Sequence, residues 1–185
     1  MSVTQEPAVV IVGAGPVGLV AACDLARRGI QVRIIDKLEK ATIESRAIAI
    51  HARSCDMLDR MGVLDDLVAT GVKSTAMNMF ANGKRMFRAP LDTVDSAFPY
   101  TLITAQTETE RVLTEHLTAP GVTIDRGVEL KELTQDDVAV HLVLQRADGA
   151  TDHVETSWVI GADGSHSCVR PSGKSKPGGI TPTTV

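Results

Sequence analysis

Residues 8–12, Ala-Val-Val-Ile-Val, run straight into Gly13-Ala14-Gly15-Pro16-Val17-Gly18, and no other feature of the chain limits its fold as strongly. A short apolar, β-branched run bounded by glycine suits a strand buried on both faces, as in a parallel sheet. From Gly15 to Arg28, residues Val17, Val20, Ala21, Asp24 and Leu25 recur at spacings of three and four, with Gly29 beyond them, which predicts a helix. Residues 31–36, Gln-Val-Arg-Ile-Ile-Asp, read as a second apolar strand ending in an acid. The result is a β-α-β unit. Within it Gly13 permits the tight turn, Gly15 lets a pyrophosphate approach the backbone, and Gly18 lets helix and strand pack closely. The helix N-terminus adds free N–H groups and positive potential. Asp36 comes 18 residues after Gly18, near the position expected for an acid that holds a ribose 2′-hydroxyl. The pattern points to an adenine-containing dinucleotide without a 2′-phosphate. A strand-helix turn with no ligand remains the bland alternative.

Beyond this unit the chain predicts two short helices over 52–61 and 63–70, a hairpin turning at Asn82–Gly83, and a helix from Gln106 to Thr118. Residues 122–133 read as strands with a turn around Asp125–Gly127. A second hairpin is predicted from Val138–Gln145 and His153–Ile160 around Asp148–Gly149, its last strand ending in Gly161-Ala162-Asp163-Gly164. The fold class is therefore α/β. It comprises a Rossmann-like domain over residues 1–170 with a small antiparallel portion near 73–103, and a Pro/Gly-rich flexible tail over 171–185. A net charge of −4 and only five aromatic residues (one Trp, one Tyr, three Phe) exclude a basic, base-stacking nucleic-acid binder. The apolar stretch from Ala8 to Cys23 is too short for a membrane span, and Met1–Pro7 lacks the basic start of a secretory signal. Cys23, Cys55 and Cys168 form no CxxC, and the five histidines show no metal-ligand spacing. A cytoplasmic protein without metal is expected.

The segment from Val9 to Lys37 resembles the N-terminus of FAD-dependent aromatic hydroxylases, the p-hydroxybenzoate-hydroxylase-like flavoprotein monooxygenases. Three further segments are similar to that family. They are Ser45-Arg46-Ala47 with the helix after it, Gln106 opening a helix, and Val159-Ile160-Gly161-Ala162-Asp163-Gly164-Ser165-His166-Ser167-Cys168-Val169-Arg170. The last is the most specific of them.

The resemblance implies FAD as cofactor, NAD(P)H as co-substrate, and O₂-dependent hydroxylation of a small aromatic, usually phenolic, substrate. It implies that Gly13, Gly15, Pro16 and Gly18 surround the pyrophosphate, that Asp36 binds the adenosine ribose, and that Lys37 lies near the adenine. Arg46 and Gln106 would contact the pyrophosphate and ribityl region, Val128 the adenine through its backbone, and Asp163 with Gly164 the ribityl-pyrophosphate segment. Plainer readings of the residues stay open: a solvated Arg46 or a pair with Glu44, Gln106 as a simple helix start, Asp163–Gly164 as a turn. No catalytic acid or base is visible. The family's downstream Gly-Asp motif has no counterpart, since no Gly-Asp pair occurs in the 185 residues. The expectation is an N-terminal part whose exposed apolar surface favours self-association or a missing C-terminal segment. A non-catalytic FAD- or nucleotide-binding fragment, or another FAD-dependent oxidoreductase, are the alternatives.

Overall fold

In the computed structural model the described residues are 7–41, 49–164 and 167–172, with side chains described to 170. The chain divides into two compact units, one from residues 1–41 and 117–185, the other from 42–116. The first unit opens with β1 (Val9–Val12), α1 (Pro16–Ala26) and β2 (Val32–Asp36), the expected β-α-β. All four residues of β1 are buried, which is what its unbroken apolar run requires. Helix α1 stops at Ala26. Arg27 and Arg28 then fold back as ion pairs on Asp24 instead of extending the last turn.

The second unit contains β3 (Ala49–Ile50), α2 (Ala52–Arg60), α3 (Leu64–Thr70), β4 (Val72–Ser74), β5 (Ala76–Ala81), β6 (Lys84–Pro90), β7 (Thr101–Ile103) and most of α4 (Gln106–Thr118). Strands β3, β7 and β4 pair antiparallel in that order, and Cys55, Leu64, Leu67, Leu102 and Leu113 are among this unit's most buried side chains. Strands β5 and β6 form the predicted hairpin. Asn82 and Gly83 lie at φ 49° and 73°, the left-handed pair that a two-residue type I′ loop demands.

Back in the first unit follow β8 (Ile124–Arg126), β9 (Val128–Gln135), β10 (Val140–Arg146), β11 (Thr151–Thr156), β12 (Trp158–Gly161) and the short α5 (Val169–Ser172). A parallel sheet runs β12-β1-β2-β8, and an antiparallel sheet runs β11-β10-β9. The residues between His153 and Ile160, read from the sequence as one strand, are two strands in two sheets. Thr156 pairs with Val140 in one, and Trp158 pairs with Val9 in the other. The Thr156 hydroxyl, buried at this crossing, donates to the Pro7 carbonyl at 2.8 Å and fixes the change of sheet.

The two sheets share a core of Val10, Val12 and Ile35 with Val128, Leu130, Leu142 and Leu144. Leu19, Ala22 and Cys23 are buried on α1, and burial pushes the Cys23 thiol up to about 11, so Cys23 serves as a small apolar residue. Among the described residues no helix is long and apolar enough to cross a membrane.

Candidate functional site

The carboxyl ends of β1 and β12 lie side by side, the edge where open parallel sheets take ligands. This adjacency brings two sequence motifs far apart in the chain, around Gly13 and Ala162, into contact. Gly13 has φ +103°, a left-handed conformation, and any Cβ there would drive into the Ala162 carbonyl. Ala162 in turn donates its N–H to the Val12 carbonyl at 2.8 Å. Gly18 is tighter still, because a Cβ would overlap the Gly13 carbonyl oxygen. Gly13 and Gly18 are therefore glycines of packing.

Gly15 differs from both. It is the N-cap of α1, extended at φ −76°, and among the described residues nothing lies within 4 Å of where its Cβ would be. Pro16 follows at the first helical position, where its missing N–H costs nothing. Among the described residues no side chain caps this helix. The amides of its first turn have no acceptor within the helix and carry the positive end of its dipole. Beside this end, Val17, Gly161, Ala162, Asp163, Gly164 and Arg170 line an open cleft of about 500 Å³. Free space, free amides and a backbone without a side chain are what a pyrophosphate needs, so the residues present fit a dinucleotide.

Asp36 stands at the end of β2 beside this loop. One carboxylate oxygen accepts the Ala14 N–H at 2.8 Å and the other accepts the Leu38 N–H at 2.8 Å. The acid thus ties the glycine loop to the turn after β2, a structural task that the sequence did not reveal. A carboxylate offers about four acceptor positions, which leaves room for ribose hydroxyls. Arg126 Nη1 lies 3.7 Å from the same carboxylate. Lys37 is exposed just after it, and Val128 is buried at the start of β9.

Asp163 also works on the backbone. Its carboxylate accepts the N–H groups of Cys168 at 2.6 Å and Val169 at 3.2 Å, holding the turn that leads into α5. Burial raises its pKa, but the hydrogen bonds from the Ser167 hydroxyl and from these amides outweigh that and hold it below the usual carboxylate value. Gly164 next to it takes φ +79°. Gly13, Gly15, Pro16, Gly18, Asp36, Lys37, Val128, Asp163 and Gly164 all belong to one unit. Gln106 opens α4 in the other unit, where its side-chain amide donates to Glu110 at 2.8 Å. Arg46 lies outside the described residues. Ala14 and Ala162, whose backbones join the parts, carried no sequence signal beyond being the small residues between glycines and acids. Among the described residues no group of three or more His, Cys, Asp or Glu could hold a metal ion.

Comparison with known proteins agrees with this geometry. The family described as "FAD binding domain" matches residues 6–181. The 6-methylpretetramide 4-monooxygenase of Streptomyces rimosus is 39% identical over 168 residues, covering 89% of this chain and 30% of that protein. The pentachlorophenol 4-monooxygenase of Sphingobium chlorophenolicum is 38% identical over 169 residues, covering 90% of this chain and 31% of its own length. Among solved structures, p-nitrophenol 4-monooxygenase from Pseudomonas putida superimposes with a TM-score of 0.85 at 30% identity, over 90% of this chain and 43% of that one. The chain thus spans about a third of the length of the curated relatives it matches.

Proposed function

The chain belongs to the FAD binding domain family, and from that premise we propose that it is the N-terminal part of a flavin-dependent monooxygenase that hydroxylates a small phenolic substrate with NAD(P)H and O₂. Two of the relatives are named for phenols, pentachlorophenol and p-nitrophenol, which favours that substrate class. Bound FAD supplies the electron transfer from NAD(P)H to O₂ on which such hydroxylation depends. The residues of this chain supply position. Gly15, Pro16 and the first amides of α1 hold the pyrophosphate, and Gly13 and Gly18 surround it by packing the loop into shape. Asp36 and Lys37 hold the adenosine, with the Val128 backbone against the adenine. Asp163 and Gly164 meet the ribityl-pyrophosphate stretch, and Arg46 and Gln106 complete the contacts to it. In this reading residues 1–170 are the FAD-binding domain, with 73–103 contributing to a substrate-domain sheet and 171–185 a tail. The three cysteines, none of them in a disulfide, suit a reducing, cytoplasmic compartment.

The observation that carries the reading is the open space in front of Gly15, at a helix end with uncapped amides. Titration of the chain with FAD, followed by flavin fluorescence, tests it. Binding that ADP displaces is expected. No binding of either nucleotide overturns the proposal. Because the cleft beside α1 is open among the described residues, a mixture with FAD, NAD(P)H and a phenol should release peroxide, water having access to the reacting ring. Hydroxylated product in proportion to NAD(P)H used would show that the 185 residues hold a whole active site.

A further inference from the structure

Resting on the FAD reading above, we propose that Arg126 is a contact residue for the adenosine end of the cofactor, its guanidinium binding the adenosine in the cleft that begins at Gly127 and Val128. Arg126 and Asp36 are register partners at the carboxyl ends of neighbouring parallel strands, β8 and β2, so both sit on the ligand edge of the sheet. The Arg126 side chain is only 22% exposed. Its ion-pair partner is the Asp36 carboxylate at 3.7 Å, too far for a hydrogen bond. Among the described residues its N–H donors make no hydrogen bond within 3.5 Å to a protein acceptor, and none of its nitrogens is buried without a partner, so the fork is open to solvent and to a ligand.

Asp36 does not need this arginine to hold it in place. Its two oxygens already accept the Ala14 and Leu38 amides. Arg126 also lines a cleft of about 450 Å³ together with Gly127, Val128 and the Ala147–Asp148 turn. That volume lies in the range of small-ligand pockets. The two other arginines of the cleft are committed elsewhere, Arg33 donating to Asp125 at 2.8 Å and Arg146 to Asp152 at 2.7 Å. Arg126 is the guanidinium left for a ligand. A planar, permanently charged fork can stack on a purine face or donate to ring nitrogens and ribose oxygens, and the adenosine half of the cofactor offers all of these.

The test is calorimetric titration of the full chain and its Arg126→Ala, Arg126→Gln and Arg126→Lys variants with FAD, ADP and FMN, with circular dichroism and melting to confirm that each is folded. The Ala and Gln variants should bind FAD and ADP about ten- to a hundredfold more weakly, the span of one charge-assisted hydrogen bond. The Lys variant should fall between, and FMN, which lacks adenosine, should be unaffected. A folded Arg126→Gln chain that binds FAD and ADP within about twofold of the parent overturns the assignment while leaving the FAD reading intact. Equal weakening of FMN also overturns it, by showing a general disturbance. A parent chain that binds neither FAD nor ADP brings down the FAD reading itself.

Discussion

A side chain at Gly15 should remove dinucleotide binding and leave the fold almost untouched. The backbone there is extended at φ −76° and ψ −178°, a conformation open to every residue, so Ala or Val brings no backbone strain. Its Cβ meets nothing within 4 Å among the described residues, so no overpacking is expected. Two small effects remain. Loss of glycine freedom in the unfolded chain stabilises by about 0.4–1 kcal/mol, while a poorer N-cap costs a few tenths to about 1 kcal/mol. They oppose each other, and a net change within about 0.5 kcal/mol corresponds to a melting shift within about 2 °C for a chain of this size. Binding has no such compensation. If the added methyl group holds the pyrophosphate off two amides, each charge-assisted bond worth about 1.5–3 kcal/mol is lost, at least about a hundredfold in affinity.

The assay is paired: thermal melting of Gly15→Ala, Gly15→Val and the parent, and FAD titration of the same three. Gly18→Ala is the contrast, since its Cβ would overlap the Gly13 carbonyl and overpacking costs about 1–3 kcal/mol, so that variant should melt several degrees lower. Parent-like FAD affinity in Gly15→Val would refute the reasoning. So would a parallel collapse of melting temperature and binding, because then the glycine would serve packing alone.

Asp36→Ala should weaken FAD and ADP by about 1–3 kcal/mol and also lower the melting temperature, because the Ala14 and Leu38 amides lose their acceptors; an unchanged melt would deny it the tethering role. Asp163→Asn should destabilise the protein in a pH-dependent way. The folded carboxyl is held below its ordinary 3.8, so its contribution is full above that pH and disappears as pH falls through the lower folded value. Denaturant midpoints of parent and variant should therefore converge in acid, and a difference constant with pH would sink the assignment. Leu144→Ala removes a fully buried side chain from the core between the sheets and should cost about 2–5 kcal/mol by denaturant unfolding, with any loss of FAD affinity following only from lost fold.

The sequence was legible where structure is local. The β-α-β unit could be read because its apolar run, helical spacing and glycines are consecutive, and the Asn82–Gly83 hairpin because two residues dictate the turn. What could not be read was decided by pairing over long separations. His153–Ile160 looks like one strand, yet Thr156 and Trp158 belong to different sheets because β12 finds its partner in β1, at the other end of the chain. The neighbourhood of Asp36 and Arg126 depends on the register between β2 and β8, strands that nothing in the sequence marks as adjacent. Asp163 could be read as important and as lying at a strand end. Its engagement with the Cys168 and Val169 amides could not, because an Asp-Gly pair fits any turn.

The two acids that most resemble ligand contacts both spend carboxylate oxygens on the protein's own backbone, and this bears on how the site works. Asp36 fixes Ala14, and with it the path of the chain between Gly13 and Gly15. Asp163 fixes the turn after Ala162, whose carbonyl closes on Gly13 where no Cβ intervenes. Each motif therefore holds the other in shape: the glycine loop is shaped by an acid from β2 and braced by the segment after β12. Such a site has its loop geometry set before any ligand arrives, so binding spends little free energy on ordering the backbone. The same arrangement explains why Gly15, alone of Gly13, Gly15 and Gly18, faces open space. Gly13 and Gly18 are used up in joining the two motifs, and the cradle they build is shaped around the glycine whose absent side chain would meet nothing among the described residues.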